Sequence, residues 1–106
     1  MSSTTWSKSE KSIARRAFDA ALRRELAEIM AGFKGKAATA KGPDDMWSVE
    51  QFLTTARRDI DFKYDYRYSR LVRVLGQLLR EGRVQECDLH GLSEDKLADI
   101  RRVAAN

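Results

Sequence analysis

Proline, cysteine and histidine occur once each in this chain of 106 residues, and no apolar run approaches the ~18 residues of a membrane span. Each scarcity closes a class. A single proline, with 42% hydrophobic and 34% charged residues, suits long helices and is poor material for turn-rich β architectures. The lone Cys87 has no second cysteine for an internal disulfide. With His90 it brings the soft ligands to two, where a structural zinc site takes four. The opening Met-Ser-Ser-Thr-Thr-Trp-Ser-Lys lacks the basic-then-apolar layout of a signal peptide, so the expected location is the cytoplasm. Catalytic material is equally thin. The one histidine sits in a short acidic stretch, and no Gly-rich phosphate loop is present. Glu50, Asp59 and Asp61 read as solvated helix flank rather than an acid/base cluster. The expectation is a protein with no enzymatic activity, no metal and no cofactor.

What the chain does have is helical periodicity. Ser7 followed by Glu10 has capping-box spacing, and the apolar positions Ile13, Ala14, Ala17, Phe18, Ala21, Leu22, Leu26, Ile29, Met30 and Phe33 then step by three and four. This predicts one helix over 7–38. Its stripe is longer than one small globule can cover, so a second long helix, from this chain or another copy, is expected along it. Lys41-Gly42-Pro43-Asp44 predicts a turn with Pro43 starting the next helix and Asp44 and Asp45 suiting its positive end. That helix presents Met46, Trp47, Val49, Phe52, Leu53, Ala56 and Ile60, and the pattern breaks at the aromatic, polar run 62–69. A third helix follows through Leu71, Val72, Leu75, Leu78 and Leu79 to a stop at Gly82. After an irregular stretch over 84–92, Ser93 caps a last helix carrying Leu97, Ile100 and Val103, with Leu89 and Leu92 expected to pin this end onto the third helix. The fold class predicted is all-α: a long antiparallel hairpin with short C-terminal helices forming a head, one domain over 1–106, associating as a helical dimer.

The net charge is +4 and uneven, with nine Lys/Arg against four acids in 1–42 and three against five in 84–106. A basic helical dimer that lines arginines against nucleic acid is one reading, but acids are interspersed throughout and no recognition-helix pattern stands out. A purely structural oligomerisation module is another. Tyr64, Tyr66 and Tyr68 point in different directions on a helix, so at least one ring should stay accessible, and Trp47 reads equally well as core or as interface anchor.

A resemblance narrows these readings. Asp44-Asp45-Met46-Trp47, Phe52-Leu53 and Arg57-Arg58-Asp59-Ile60-Asp61 lie on the second helix, followed by Lys63-Tyr64-Asp65-Tyr66-Arg67-Tyr68-Ser69. Leu78-Leu79-Arg80-Glu81-Gly82 and Gly91-Leu92-Ser93-Glu94-Asp95-Lys96-Leu97 come later. Together with Trp6-Ser7 and Ile13-Ala14-Arg15-Arg16-Ala17-Phe18, this combination resembles the fluorescence recovery protein family of cyanobacteria over nearly the whole chain.

The resemblance implies a helical homodimer, or a tetramer, that binds photoactivated orange carotenoid protein, detaches it from the phycobilisome antenna and speeds its return to rest. It implies a dimer and partner interface around Trp47, Glu50, Gln51, Phe52, Arg57 and Asp61, and a head surface of Tyr68, Leu71 and Arg73 facing a partner. The chain departs from the family pattern at Glu50-Gln51, Phe62 and Arg73. A homologue of the same fold with a different protein partner is the alternative; nucleic acid and membrane are not expected partners.

Overall fold

The computed structural model describes residues 5–106. The absence of a signal layout was read partly from residues 1–4, which lie outside the described residues. Helix α1 (Lys8–Ala38) is followed by α2 (Pro43–Lys63), α3 (Leu71–Arg80), a short 3-10 turn (Glu86–Leu89) and α4 (Glu94–Ala105), with no strand among the described residues. The molecule is elongated, 54 × 23 × 21 Å. Its long dimension is α1, whose two halves serve different neighbours.

The N-terminal half of α1 is the floor of the only buried apolar cluster among the described residues. Ala14, Ala17 and Ala21 let the head approach closely, and Phe18 fills the space between, against Leu71, Val74, Leu75 and Leu78 of α3 and Ile100 of α4. Helices α3 and α4 meet at Gly76. A Cβ there would lie 2.5 Å from Val103 Cβ and 3.0 Å from the Ile100 carbonyl oxygen, so no larger residue fits that crossing. The turn after α3 closes as the sequence predicts. Gly82 adopts φ 75°, its N–H donates to the Leu79 carbonyl, and the Arg83 N–H donates to that of Leu78 at 2.9 Å, a Schellman termination. Leu89 and Leu92 are buried in this cluster with Leu71, Leu75 and Leu78 of α3, and the 3-10 turn also packs on α1. Gly91, at φ 105°, comes so close to Ile13 that a Cβ would sit 2.6 Å from its side chain.

The C-terminal half of α1 leaves the apolar cluster of the head and packs along α2, which runs back antiparallel from the Gly42-Pro43 turn. Its apolar stripe is therefore covered on one side by one helix, and α2 has no fully buried residue at all.

The cap that opens α1 does more than its spacing foretold. The Glu10 N–H donates to Ser7 Oγ at 3.1 Å, and Glu10 Oε1 accepts the Ser7 N–H at 3.0 Å, completing the capping box. The same carboxylate accepts the Ser93 N–H at the start of α4 (2.9 Å) and pairs with Lys96 Nζ at 3.2 Å. Lys96, 2% exposed, also donates to the Thr5 carbonyl at 2.8 Å and lies 5.0 Å from the Trp6 ring centroid. Hydrogen bonds from Ser7, then Ser93 and Lys96, outweigh burial and hold the Glu10 carboxyl at about 2.

Two outcomes follow for stability. Lys96→Met strands a buried carboxylate and is expected to lower unfolding free energy by about 3 kcal/mol in urea titrations. The double variant Lys96→Met/Glu10→Gln, which removes both charges and keeps an amide oxygen where the Ser7 and Ser93 N–H groups donate, should lose clearly less. Because the folded carboxyl of Glu10 sits below its ordinary value of 4.5, its contribution is complete above that pH and disappears as pH falls toward 2. Acid titration of Glu10→Gln should show a flatter stability profile across that window.

Candidate functional site

Helix α2 determines the exposed character of the stem. Phe52 packs inward on Gly32, where a Cβ would lie 2.9 Å from its ring, and Lys36 Nζ sits 5.3 Å from the ring centroid. On this side Glu25, Ile29, Phe52 and Ala56 line an open groove of about 540 Å³. Leu26, Met30, Leu53 and Arg57 each follow one of those residues by one position, a rotation of about 100° around the helix. Such a step takes all four out of the groove lining and onto an exposed flank of the hairpin. That side is an apolar strip of exposed Leu26, Met30 and Leu53 with an arginine at its edge.

The residues singled out from sequence fall into two groups. On α2, Trp47 is 61% exposed, so it is not part of this chain's core. Glu50 is exposed and accepts the Thr54 hydroxyl at 2.9 Å; Gln51 lines the groove; Phe52 is half-buried. Arg57 and Asp61 form a solvent-exposed pair one turn apart at 3.9 Å. On the head, Tyr68 is 41% exposed, with its ring 6.1 Å from that of Trp6 and 5.8 Å from that of Tyr66. Arg73 is exposed.

Leu71 does not face outward. It is 0% exposed, because it shares its face of α3 with Val74, Leu75 and Leu78, the spacing that builds the core cluster. The two groups meet where α2 ends, since Asp61 and Arg73 line one cleft of about 240 Å³.

That elbow also holds a polar network not singled out from sequence. Lys63 Nζ lies 2.7 Å from Glu25 Oε1 and 2.9 Å from Glu81 Oε1. Arg83 reaches Glu25 (3.2 Å), Glu28 (2.8 Å) and Glu81 (2.9 Å). The Tyr64 hydroxyl donates to Glu25 at 2.7 Å. Burial, followed by the Glu25 carboxylate, pushes the Tyr64 phenol well above its ordinary value. Burial raises Glu81, but hydrogen bonds from Lys63, Gln77 and Arg83 bring it below the usual range. The network ties α1, the end of α2 and the end of α3 together. Its members are 38 or more residues apart for the Lys63 and Tyr64 contacts with Glu25, which is why no local pattern reveals it. Tyr64, Tyr66 and Tyr68 lie not on a helix but in the link between α2 and α3, and one ring stays accessible: Tyr64 and Tyr66 stand edge-on to Phe18, and Tyr68 is partly exposed.

Among the described residues no three His, Cys, Asp or Glu side chains converge as metal ligands would, and no helix is long and apolar enough to cross a membrane.

A profile of the family described as photoprotection regulator fluorescence recovery protein matches residues 6–104. The fluorescence recovery protein of Synechocystis sp. (strain ATCC 27184 / PCC 6803 / Kazusa) is 38% identical over 99 residues, 93% of this chain and 91% of the relative. The solved structure of the fluorescence recovery protein from Fremyella diplosiphon superposes with a TM-score of 0.91 at 34% identity, covering 96% of this chain and all of that one. The structure from Synechocystis sp. PCC 6803 gives the same score at 37% identity, with the same coverage.

The elbow and the stem flank should differ energetically. A double-mutant cycle on Lys63→Met and Glu25→Gln is expected to return a coupling of about 1 kcal/mol or more, since both side chains are largely withdrawn from water. The same cycle on Arg57 and Asp61 should return less than about 0.5 kcal/mol.

Proposed function

This chain belongs to the fluorescence recovery protein family of photoprotection regulators, and from that premise we propose that it is a non-catalytic protein that binds another protein and changes its conformational balance. The partner is photoactivated orange carotenoid protein. This chain detaches it from the phycobilisome and accelerates its return to the resting form. No bond is made or broken in such a role. The physical requirement is differential affinity: the bound chain favours one conformer of the partner, or lowers the barrier between two, by as much as its contacts differ between them. Residues 1–106 act as one unit, in the cytoplasm.

The observation that carries this reading is the match to the family along residues 6–104 combined with a stem whose second helix has no fully buried residue. A two-helix stem with Leu26, Met30 and Leu53 in water is incomplete as a monomer, and a second copy seated on that strip would withdraw these side chains. The chain thus works as a homodimer, with Trp47 and Arg57 at the seam's margins and Tyr68 and Arg73 toward the partner. The alternative, the same fold with a different protein partner, draws on Arg73: an exposed cation on the head surface suits a different complement than an apolar one would.

Light scattering coupled to size exclusion should give twice the chain mass, and Leu53→Glu should return it to one. Mixed with dark and photoactivated orange carotenoid protein, the wild type is expected to bind the activated form and to speed recovery of its resting colour. A dimer that leaves the recovery rate unchanged would overturn the carotenoid-protein assignment and favour the alternative.

A further inference from the structure

The most anomalous side chain on the surface is Phe62, 87% exposed at the end of α2. It lies nine residues after Leu53, about 180° around the helix, and shares a shallow depression with Arg57 at the edge of the strip.

Most arginines in this chain are engaged: Arg67 with Asp65, Arg83 with Glu28, Arg101 with Glu86. The guanidinium groups of Arg58, Arg70 and Arg73, like those of Arg16 and Arg23, make no hydrogen bond or ion pair among the described residues, although Arg70 lies in the field of Asp65; these three share surface depressions with Phe62. Arg58 precedes it by one turn on the same helix face and shares with it a shallow depression at the end of the stem. Arg70 and Arg73 line the neighbouring elbow cleft of about 240 Å³, which Phe62 also borders.

We propose that this elbow surface, Phe62 ringed by Arg58, Arg70 and Arg73, is a docking site for an acidic segment of a partner protein that carries an apolar side chain between its carboxylates. The planar forks of free guanidinium groups match carboxylates in pairs, and a central ring surrounded by cations gives such a segment both an anchor and a register. Charge complementarity selects protein over nucleic acid. Asp61 and Asp65 line the same cleft, and a phosphate track would pass two carboxylates, whereas a peptide can keep its acidic residues to the arginine side. The inference rests on the reading of this chain as a protein-binding module but not on the identity of the carotenoid protein as its partner.

The test uses the full chain and fluorescence anisotropy with three labelled probes: the peptide Glu-Asp-Leu-Phe-Asp-Glu, the peptide Glu-Asp-Gly-Ser-Asp-Glu of equal charge, and a single-stranded oligonucleotide of equal net charge. The first should bind at least tenfold more tightly than the other two. Its binding should weaken about tenfold with Phe62→Ala or with Arg58→Glu/Arg73→Glu, weaken with salt, and persist in monomeric Leu53→Glu. Because Phe62 and the arginines are exposed, these variants should retain wild-type helicity and melting temperature, which circular dichroism checks. No binding of the first peptide at millimolar concentration, equal binding by Phe62→Ala, loss of the site on dimerisation, or a preference for the oligonucleotide would each overturn the proposal. Recovery kinetics of the carotenoid protein, measured separately, can fail without touching this result.

Discussion

One helix longer than the core it serves governs this structure. The 31 residues of α1 pass through the head cluster and continue into a stem where α2 packs along them. The first half satisfies the apolar stripe with a complete layer of side chains: Ala14, Ala17, Phe18 and Ala21 below, α3 and α4 above. The second half has the same periodicity but half the cover, which leaves Leu26 and Met30 in water. The division of labour in the molecule, a self-sufficient head and an unfinished stem, is a direct result of that mismatch.

Most of the backbone plan was legible from the residues. Ser7 with Glu10, Gly42-Pro43, Gly82 and Ser93 mark helix ends by local hydrogen-bonding chemistry, and local chemistry is what a linear sequence displays. Contacts between distant residues were not legible. Lys96 reads as one more surface cation in a charged turn, yet it is buried because Glu10, 86 positions earlier, and the Thr5 carbonyl receive its ammonium group. Leu71 was assigned outward on a likeness of motif, although its spacing to Val74, Leu75 and Leu78 already placed it on the core face. Trp47, ambiguous from sequence, proved exposed because α1 turns its neighbouring face toward Phe52 and Ala56 instead.

The elbow is where the two halves are mechanically joined. Head and stem share α1, but the angle between them is also constrained by Lys63, Glu25, Glu81 and Arg83 across three helices, with Tyr64 adding a hydrogen bond and an edge contact to Phe18. Charged groups held by several partners at once in a partly dry site are more directional than an apolar contact of the same size. Surfaces on either side of the joint, the stem strip and the cleft around Phe62, are therefore presented in a fixed relation to one another.

Because α2 has no fully buried residue, its outward positions carry almost no obligation to the monomer's core. Substitutions at Trp47, Glu50, Gln51 or Phe62 leave the cluster around Phe18 and Leu75 untouched, whereas a methyl group added at Gly76 collides with Val103. The monomer's shape is thus indifferent to those stem positions and strict at the head crossing. Relatives at 34% and 37% identity still superpose at a TM-score of 0.91, so most side chains can be exchanged while the shape is kept.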